Sequence, residues 1–522
     1  MNLSFWRRVF TGKGNARGAA APIGAVLTLA CFAAVAEPAG AQESAPRKEL
    51  DWPDTFAAKR AHAFFKAAEA EDDAPMREFQ QLIRSPESLK ETPLEHRVTK
   101  ARSLREQAGA VEIGKVVPDG EYNVDVIGKS SKLGLWLKFR FVFDPAEPHY
   151  LVSMQGTPTT APSEPPVALE SADSVEKLLE QACKKSGIAA FAIAVIKEGR
   201  VQEVAAAGVR RNDRPDPVRP TDRFHIGSVG KSMAATLVAK LVEEGKLRWD
   251  SKVGEVLSGI PMRSEYADVT LEQLLQHRGG IAAYTEDLPM EHDQALKNSG
   301  TCTKQRTAFA AEFLNESPVV PPGAVMIYSN AGYSLAALMA ENVTKKSWEE
   351  LMTTMLFPAL DLKTCGLGWP ATPDRPDQPY GHFDNPPSLR VQNFGDYDLG
   401  DYLSPAGDIH CSAEDLAKYV VFHLAGIQGK DGWLSAETVR RLHRPPGTER
   451  PSYAAGWMVE EPPGAKVRHW HDGSAGTFYT RAVMYPDDGF ALVVLSNAGI
   501  PAKPWADEII RVACKMNSFT CE

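Results

Sequence analysis

A proline-rich segment divides the sequence into two parts. Residues 157–170 contain four prolines together with Thr, Ser and Ala. Because proline has no amide hydrogen to donate to a helix or a sheet, such a segment favours an extended linker. We therefore predict an N-terminal domain over 42–156, a linker over 157–172 and a larger C-terminal domain over 173–522.

The first 41 residues resemble an export signal. An apolar run over 23–36 follows a basic start, and Ala39-Gly40-Ala41 is typical of a signal peptidase site. The basic residues are Arg7, Arg8, Lys13 and Arg17. We predict a signal peptide over 1–41 and a periplasmic or secreted protein. Cleavage before Cys31, as in a lipoprotein, and an uncleaved anchor are the alternatives.

Export would place the chain in an oxidising compartment, where disulfides form. The close spacing of Cys514 and Cys521 favours a small terminal loop closed by a disulfide. Four other cysteines lie between the signal peptide and Cys514. The sequence predicts disulfides and buried free thiols equally well for these four. These four are Cys183, Cys302, Cys365 and Cys411.

The composition excludes several classes of function. The formal net charge is −9, with 58 basic and 67 acidic residues, which argues against a nucleic-acid partner. Beyond residue 45 no apolar run approaches the roughly 20 residues that cross a bilayer, so the mature chain is predicted to have no membrane span. No CxxC or HExxH motif occurs, and we predict neither a metal nor an organic cofactor.

The N-terminal domain is predicted to place helices before strands. Periodicity predicts helices over 54–70 and 75–84 and strands over 111–117, 122–127, 133–143 and 149–155. In the third strand Leu135, Leu137, Phe139 and Phe141 share one face, which we interpret as core rather than as a ligand pocket. This order resembles the small α+β cone of nuclear-transport-factor-like domains.

The C-terminal domain is predicted to be α+β, with strands at both ends and helices between them. A helix over 174–185 leads into a hairpin of strands 189–196 and 201–207, and the far end carries strands over 467–470, 477–484 and 490–495 before a helix over 505–516. We expect the two ends to meet in one antiparallel sheet.

A serine, Ser228, lies three residues before Lys231, the first residue of a helix predicted over 231–244. A helix that begins at Ser228 would bring Ser228 and Lys231 onto one face. A serine hydroxyl becomes a nucleophile when a nearby base takes its proton, and lysine can be that base where burial or positive charge favours its neutral form. Residues 225–232 also nearly fit a phosphate-binding loop, but His225 replaces the first glycine and no apolar strand precedes it.

Two further motifs follow in order along the chain. Tyr328 and Asn330 form a Tyr-x-Asn after a Pro/Gly turn, with a helix predicted over 334–343, and His471 and Gly473 form a His-x-Gly before a strand. Together with the Ser-x-x-Lys, these motifs resemble those of the serine β-lactamase and penicillin-binding-protein superfamily, in particular its class C-like and esterase branch. The resemblance covers about residues 173–500 and also includes the stretches 274–281, 404–407 and 412–417.

The resemblance implies a role for each motif residue. Ser228 would be the acylated nucleophile and Lys231 its proton partner. Tyr328 would carry a proton to the leaving group and later activate water, with Lys231, His471 or both stabilising a phenolate-like state. Asn330 would orient Lys231 or the substrate amide.

The third motif departs from the family's usual Lys-Thr/Ser-Gly. Gly473 would clear space for substrate, and the backbone N–H groups of Ser228 and Ser474 would form the oxyanion hole. His471 is at most partly charged at neutral pH, and an ionised Asp472 accepts hydrogen bonds but donates none, so both weaken recognition of a substrate carboxylate. An Asp472 side chain that faces away from the site would leave the carboxylate question open.

We therefore predict a serine hydrolase that acts on an ester or amide, esterase- or peptidase-like, through an acyl-enzyme. The substrate would be a small molecule or a peptide, and the loops over 283–300 and 370–400 would wall its pocket. A β-lactamase, a D-alanyl-D-alanine carboxypeptidase or a penicillin-binding receptor is the first alternative. A catalytically inactive scaffold is the second.

Overall fold

The computed structural model describes residues 52–521. The residues within that range that are not described are 71, 92, 132–135, 160–168, 286–287, 325, 385, 387–388, 397, 448–451 and 462–465. The predicted signal peptide and part of the predicted linker lie outside the described residues. The chain divides into two compact units, and the division falls between residues 164 and 165.

The first unit places helices before an antiparallel sheet. The helices are α1 (Phe56–Glu69), α2 (Ala74–Ile83), α3 (Pro86–Glu91) and α4 (Leu94–Ala108). The strands are β1 (Val111–Pro118), β2 (Asn123–Ser130), β3 (Trp136–Phe143) and β4 (Leu151–Thr159), and they pair in chain order. The periodicity of apolar residues did not predict α3 or α4. Helix α3 has only six residues, and α4 is rich in charged residues and has no clear apolar stripe.

Aromatic residues form the core of this unit. Phe64 and Phe65 of α1 pack against Phe139 and Phe141 of β3, with ring centroids 5.1–6.1 Å apart. The predicted alternation of β3 is confirmed over the described positions, since Leu137, Phe139 and Phe141 are buried; Leu135 lies outside them. The aromatic stripe is therefore core. The resemblance to nuclear-transport-factor-like domains stays a prediction.

The second unit is built on an antiparallel sheet whose central strands come from opposite ends of the domain. Its order is β12-β13-β14-β15-β16-β5-β6. These strands are β5 (Ala190–Lys197), β6 (Arg200–Gly208), β12 (Ser452–Tyr453), β13 (Met458–Glu460), β14 (Arg468–Ser474), β15 (Tyr479–Tyr485) and β16 (Phe490–Ser496). The predicted meeting of the two ends is confirmed, because β16 pairs with β5.

Shorter strands and the helices complete this unit. The strands are β7 (Phe224–His225), β8 (Gly366–Leu367), β9 (His382–Phe383), β10 (Arg390–Val391) and β11 (Ile409–Cys411). The helices that flank the sheet are α5 (Val175–Ser186), α6 (Gly230–Glu243), α15 (Ala413–Ile427), α16 (Ala436–Leu442) and α17 (Lys503–Met516). The intervening helices are α7 (Val253–Val256), α8 (Ser264–Ala267), α9 (Leu271–Leu275), α10 (Met290–Lys297), α11 (Cys302–Phe313), α12 (Asn330–Thr344), α13 (Trp348–Leu351) and α14 (Phe357–Ala359).

The two faces of the sheet bury separate cores. Ala192 and Ala194 of β5 belong to the cluster that includes α6, whereas Ile193 and Val195 face α5 and α17. This alternation is the period of a strand buried on both faces, which explains why β5 is apolar almost throughout. Disulfides join Cys514 to Cys521, as the spacing predicted, and Cys365 to Cys411. In the described part of the chain, no helix is both long and apolar enough to cross a membrane.

A chain of three buried histidines lies beneath α6. The Nδ1 of His423 is 2.9 Å from the Nε2 of His443, whose Nδ1 is 2.9 Å from the Nδ1 of His469. At the other end, the Nε2 of His423 lies 3.2 Å from the Thr236 hydroxyl on α6. The indole of Trp457 stacks on His443. We refer to these three residues as the histidine chain.

Candidate active site

Ser228 lies in a tight turn between a short strand and a long helix. β7 ends at His225, Gly227–Val229 form a 3₁₀ turn, and α6 begins at Gly230. Residues three apart eclipse each other in a 3₁₀ turn, so the side chain of Lys231 stands beside that of Ser228. The two meet, with Lys231 Nζ 3.0 Å from Ser228 Oγ, although the α-helix begins two residues after Ser228.

Lys231 lies in surroundings that favour its uncharged amine. The side chain is fully buried, and Nζ donates a second hydrogen bond, of 2.6 Å, to the carbonyl oxygen of Ala406. In the described part of the chain, no carboxylate lies within salt-bridge distance of this amine. Burial lowers the pKa of Lys231 well below its ordinary value, so the amine is able to accept a proton.

Tyr328 brings its phenol to the same place from the start of α12. Lys231 Nζ lies 4.9 Å from the centre of the Tyr328 ring. The backbone at this point is held by Ser329, whose N–H donates to the Nδ1 of His277 and whose hydroxyl caps α12. Burial raises the pKa of the Tyr328 phenol well above 10, and its hydrogen bond with Ser228 opposes that rise only in part. The phenol is therefore protonated in this site.

Asn330 follows Tyr328 closely but does not hold Lys231. Its side-chain amide donates to the carbonyl oxygen of Tyr284 at 2.9 Å. Its Oδ1 is buried and has no hydrogen-bond partner in the structure. Of the two predicted roles of Asn330, the structure does not have the orientation of Lys231, which instead donates to the carbonyl of Ala406. Orientation of a substrate amide by Asn330 stays a prediction.

His471 completes the cluster from strand β14, and both of its ring nitrogens contact other groups of the protein. Its ring centroid lies 6.5 Å from that of Tyr328. The Nε2 is 3.0 Å from the hydroxyl of Tyr453, and the Nδ1 is 2.6 Å from the carbonyl oxygen of Asp472. Burial, with the nearby Lys231 as the second cause, lowers the pKa of His471 to about 4. A neutral His471 that is bound to Tyr453 is not available to stabilise a Tyr328 phenolate.

The side chain of Asp472 faces away from this cluster. Alternation along β14 buries His471 and Gly473 on one face and turns Asp472 to the other. There its carboxylate is paired with Arg481 at 2.7 Å and with Lys503 at 2.8 Å. This is the arrangement under which Asp472 does not decide whether a substrate carboxylate is recognised, because its charge is paired on the opposite face of the sheet.

Two glycines let the Ser228 turn pack directly on β14. Gly227 has φ +51, and a Cβ there would overlap the backbone nitrogen of Ser474. A Cβ at Gly473 would overlap the carbonyl oxygen of Ile226 and would lie 2.9 Å from the Ser228 nitrogen. The two predicted oxyanion donors, the N–H groups of Ser228 and Ser474, therefore belong to segments in direct backbone contact.

An aromatic cleft lies beside the strand that leads to Ser228. It has a volume of about 150 Å³, and its aromatic walls are Trp369, Tyr380, Phe394 and Phe478. The rings of Trp369 and Phe478 lie 4.6 and 6.3 Å from the ring of His225, three residues before Ser228. Most of these walls come from the segment 369–395, which overlaps the loop 370–400 that was expected to line the substrate pocket.

Sequence reasoning missed two residues that contact the cluster. Ala406 acts through its backbone carbonyl, which no side-chain motif reveals. Tyr453 is an isolated tyrosine on the short edge strand β12, and its contact with His471 depends on the pairing of three strands. Arg278 donates to the carbonyl oxygen of Ala324 and supports the segment before Tyr328.

Comparisons with known proteins agree on one family. A sequence model of the family described as Beta-lactamase matches residues 175–515, more than half of the chain. Protein flp of Staphylococcus aureus strain N315 is 24% identical over 331 residues, which are 63% of this chain and 63% of that protein. The chain thus spans less than two thirds of the length of this relative. Penicillin-binding protein 4 of Amycolatopsis lactamdurans is 26% identical over 332 residues, 60% of this chain and 82% of that protein.

Solved structures share the fold. The octameric penicillin-binding protein homologue from Pyrococcus abyssi superposes with a TM-score of 0.55 at 22% identity, over 67% of this chain and 78% of that one. The D-alanine carboxypeptidase AmpC from Burkholderia cenocepacia has a TM-score of 0.53 at 20% identity, over 66% of this chain and 98% of that one. Both likenesses bear out the predicted α+β architecture of antiparallel sheet and helices.

Proposed function

The chain belongs to the beta-lactamase family, a superfamily of serine hydrolases, and on that basis we propose that it hydrolyses an ester or amide through an acyl-enzyme on Ser228. The observation that carries the proposal is the 3.0 Å contact between the Ser228 hydroxyl and the buried Lys231 amine, with the Tyr328 ring beside it. No metal or organic cofactor is needed for these steps.

The proton moves between groups that are already in contact. Lys231 takes the proton of the Ser228 hydroxyl as its oxygen bonds to the substrate carbonyl carbon, and the N–H groups of Ser228 and Ser474 stabilise the oxyanion. When the bond to the leaving group breaks, Tyr328 gives that group its proton and recovers one from the ammonium of Lys231. The raised pKa of Tyr328 favours this order, because the phenol begins as a proton donor rather than as a phenolate.

Water then releases the acid. Lys231, neutral again after the first half-reaction, takes a proton from water through Tyr328 as the water oxygen attacks the acyl carbon. The new bond displaces the Ser228 oxygen, which recovers a proton from the same pair. Lys231 and Tyr328 thus transfer protons in one direction during acylation and in the reverse direction during release of the acid.

We infer the substrate class from the uncharged state of His471 and from the aromatic cleft. A site that recognises a substrate carboxylate needs a positive charge, whereas His471 is neutral and Arg481 is engaged with Asp472. The aromatic cleft favours an apolar acyl group. We therefore propose an esterase- or amidase-like activity rather than one on penicillins or D-alanyl peptides, which the names of two similar proteins suggest.

Labelling by a fluorophosphonate probe tests the nucleophile. Wild-type protein should be labelled, Ser228→Ala should lose the label, and Ser232→Ala should keep it. Ser232 is a matched control, because it lies four residues after Ser228 on helix α6, is buried, and donates its hydroxyl to the carbonyl of Val229. Undiminished labelling of Ser228→Ala would refute the proposal.

Substrate assays separate the proposed activity from its competitors. We expect 4-nitrophenyl esters to turn over, with a dependence on acyl-chain length, and nitrocefin and a D-alanyl peptide to turn over poorly. A burst of product without steady-state release would instead indicate a penicillin-binding receptor. An unreactive Ser228 in a folded sample would indicate an inactive scaffold.

We also propose that the protein is exported. The basic and apolar start of the chain supports this proposal, as do the disulfides Cys365–Cys411 and Cys514–Cys521, which persist in oxidising compartments. N-terminal sequencing of protein recovered from the periplasm or the medium should begin at Gln42. Recovery of the uncleaved chain from the cytoplasm would contradict the proposal.

A further inference from the structure

The hydrogen bonds of His471 fix which of its nitrogens carries the proton. A carbonyl oxygen accepts hydrogen bonds but donates none, so the contact with the Asp472 carbonyl requires a hydrogen on Nδ1. In the neutral ring Nε2 then has a lone pair, and the Tyr453 hydroxyl donates to it at 3.0 Å. Both nitrogens are therefore occupied by the protein itself.

Tyr453 is placed to make this donation. It lies on β12, and its ring stands at 80° to that of His471 with centroids 5.6 Å apart. Both side chains are almost completely buried. Because the bond needs the lone pair of Nε2, it exists in this direction only while His471 is neutral, so it opposes protonation of the ring.

The carboxylate of Asp472 raises the pKa of His471, but burial and the nearby Lys231 lower it by more. The Asp472 carboxylate lies on the opposite face of β14 and is paired with Arg481. The titratable and charged groups that face His471 from the surrounding elements are Lys231, His277, Tyr328, Tyr453, Asp472 and Arg481. The phenol of Tyr453 is the group among them that bonds directly to its side chain.

We propose that Tyr453 is a specificity-determining residue: by keeping His471 uncharged and both of its nitrogens occupied, it makes the site select uncharged esters and amides over substrates with a carboxylate. This inference rests on the proposed hydrolase function and deepens it. Tyr453 acts through His471 and is therefore a positioning residue. A charged imidazole at 471, with its Nε2–H free, would supply the cation that a carboxylate needs.

Replacement of Tyr453 by phenylalanine removes the donor and keeps the ring. Loss of one hydrogen bond of ordinary strength should raise the pKa of His471 by about one unit, from about 4 to about 5. The freed Nε2 should also leave the ring able to exchange its proton between the two nitrogens. Both changes are visible as ¹⁵N chemical shifts of His471 in a pH titration of the full-length protein.

A second experiment compares the hydrolysis of two esters whose acyl chains have the same number of carbons. We would measure kcat/KM for 4-nitrophenyl hexanoate and for the mono-4-nitrophenyl ester of adipic acid, in which a carboxylate replaces the terminal methyl group, at pH 5.5 and 7.5. In Tyr453→Phe the ratio of adipate to hexanoate should rise by about threefold or more on acidification, because a fraction of His471 becomes charged. In the wild type the ratio should change by less than about twofold.

Two control variants make the result specific. Tyr419→Phe removes an equally buried phenol that bonds to Thr236 instead of to the site, so it should behave as wild type. Adding His471→Gln to Tyr453→Phe removes the titrating ring and should abolish the pH dependence of the ratio. The ¹⁵N spectra also report whether each variant is folded.

The outcomes distinguish failure of the specificity role of Tyr453 from failure of the proposed hydrolase function. An unchanged pKa and tautomer of His471 in Tyr453→Phe would overturn the inference, as would a raised pKa with an unchanged substrate ratio. Wild-type protein that hydrolyses neither ester and leaves Ser228 unlabelled would overturn the proposed function, and the specificity claim with it, whatever the ¹⁵N shifts show.

Discussion

Acidification should destabilise the protein through the histidine chain. His443, its middle member, is surrounded by the other two imidazoles and by Trp457. Burial lowers the pKa of His443 well below 6.5, and that of His423 to about 3. Between these values and 6.5 the folded protein keeps the rings neutral while the unfolded chain protonates them. Because the unfolded state binds more protons, the free energy of unfolding must fall as the pH falls below 6.5.

The magnitude follows from the ordinary pKa of histidine. For a histidine that stays neutral in the folded state, each pH unit below 6.5 costs about 1.4 kcal/mol of unfolding free energy. Between pH 7 and pH 5, His443 alone should account for a loss of about 2 kcal/mol. Contributions from carboxylates change over the same range, so a difference between variants is needed to isolate this one.

The free energy of unfolding can be measured by urea titration of the full-length protein at pH 7 and pH 5, with tryptophan fluorescence as the signal. The stability advantage of wild type over His443→Gln should be smaller at pH 5 by about 2 kcal/mol, since the variant lacks the titrating ring. Leu424→Ala is the matched control, because Leu424 is buried beside His423 on α15 and does not titrate. Its difference from wild type should be equal at the two pH values. An equal gap for His443→Gln at both pH values would refute the reasoning.

Three further predictions concern the site. Gly473→Ala should abolish fluorophosphonate labelling, because the added Cβ would overlap the Ile226 carbonyl; labelling at the wild-type rate would contradict this close approach. Asp472→Asn should lower the thermal midpoint, because it weakens the ion pair with Arg481. The ratio of kcat/KM for the adipate and hexanoate esters should stay unchanged, since the side chain faces away from the site. A changed ratio would show that Asp472 takes part in substrate recognition. Phe394→Ala should move the preferred 4-nitrophenyl ester towards longer acyl chains by enlarging the aromatic cleft, and an unchanged preference would separate that cleft from the substrate.

The parts of the site that depend on local spacing could be predicted from the sequence. The spacing of three residues brings Ser228 and Lys231 together in either an α-helix or a 3₁₀ turn, and the apolar runs of β5 and β16 identify buried strands. The orientation of Asp472 could also have been predicted, because residues adjacent to His471 on a strand point to the other face.

The remaining contacts are set by tertiary packing. The carbonyl of Ala406 reaches Lys231 across 175 residues of chain, and a backbone atom has no residue type to mark it. The motif predicted that Asn330 orients Lys231 or the substrate amide, whereas the turn before α12 directs its amide to the carbonyl of Tyr284. Tyr453 meets His471 because β12 and β14 both pair with β13, a register that periodicity does not determine.

The order of strands in the large sheet also constrains when the site can form. The hydroxyl of Ser496 on β16 donates to the carbonyl of Ala190 at the start of β5, and these residues are 306 positions apart. A ribosome adds roughly 5–20 residues each second, so β5 waits many seconds for its partner during synthesis. Until then β5 presents an unpaired apolar edge, which is the kind of surface that chaperones cover and that aggregates when left bare. A newly made chain therefore contains Ser228 early, whereas the sheet against which the Ser228 turn packs is completed only after β16 has been synthesised.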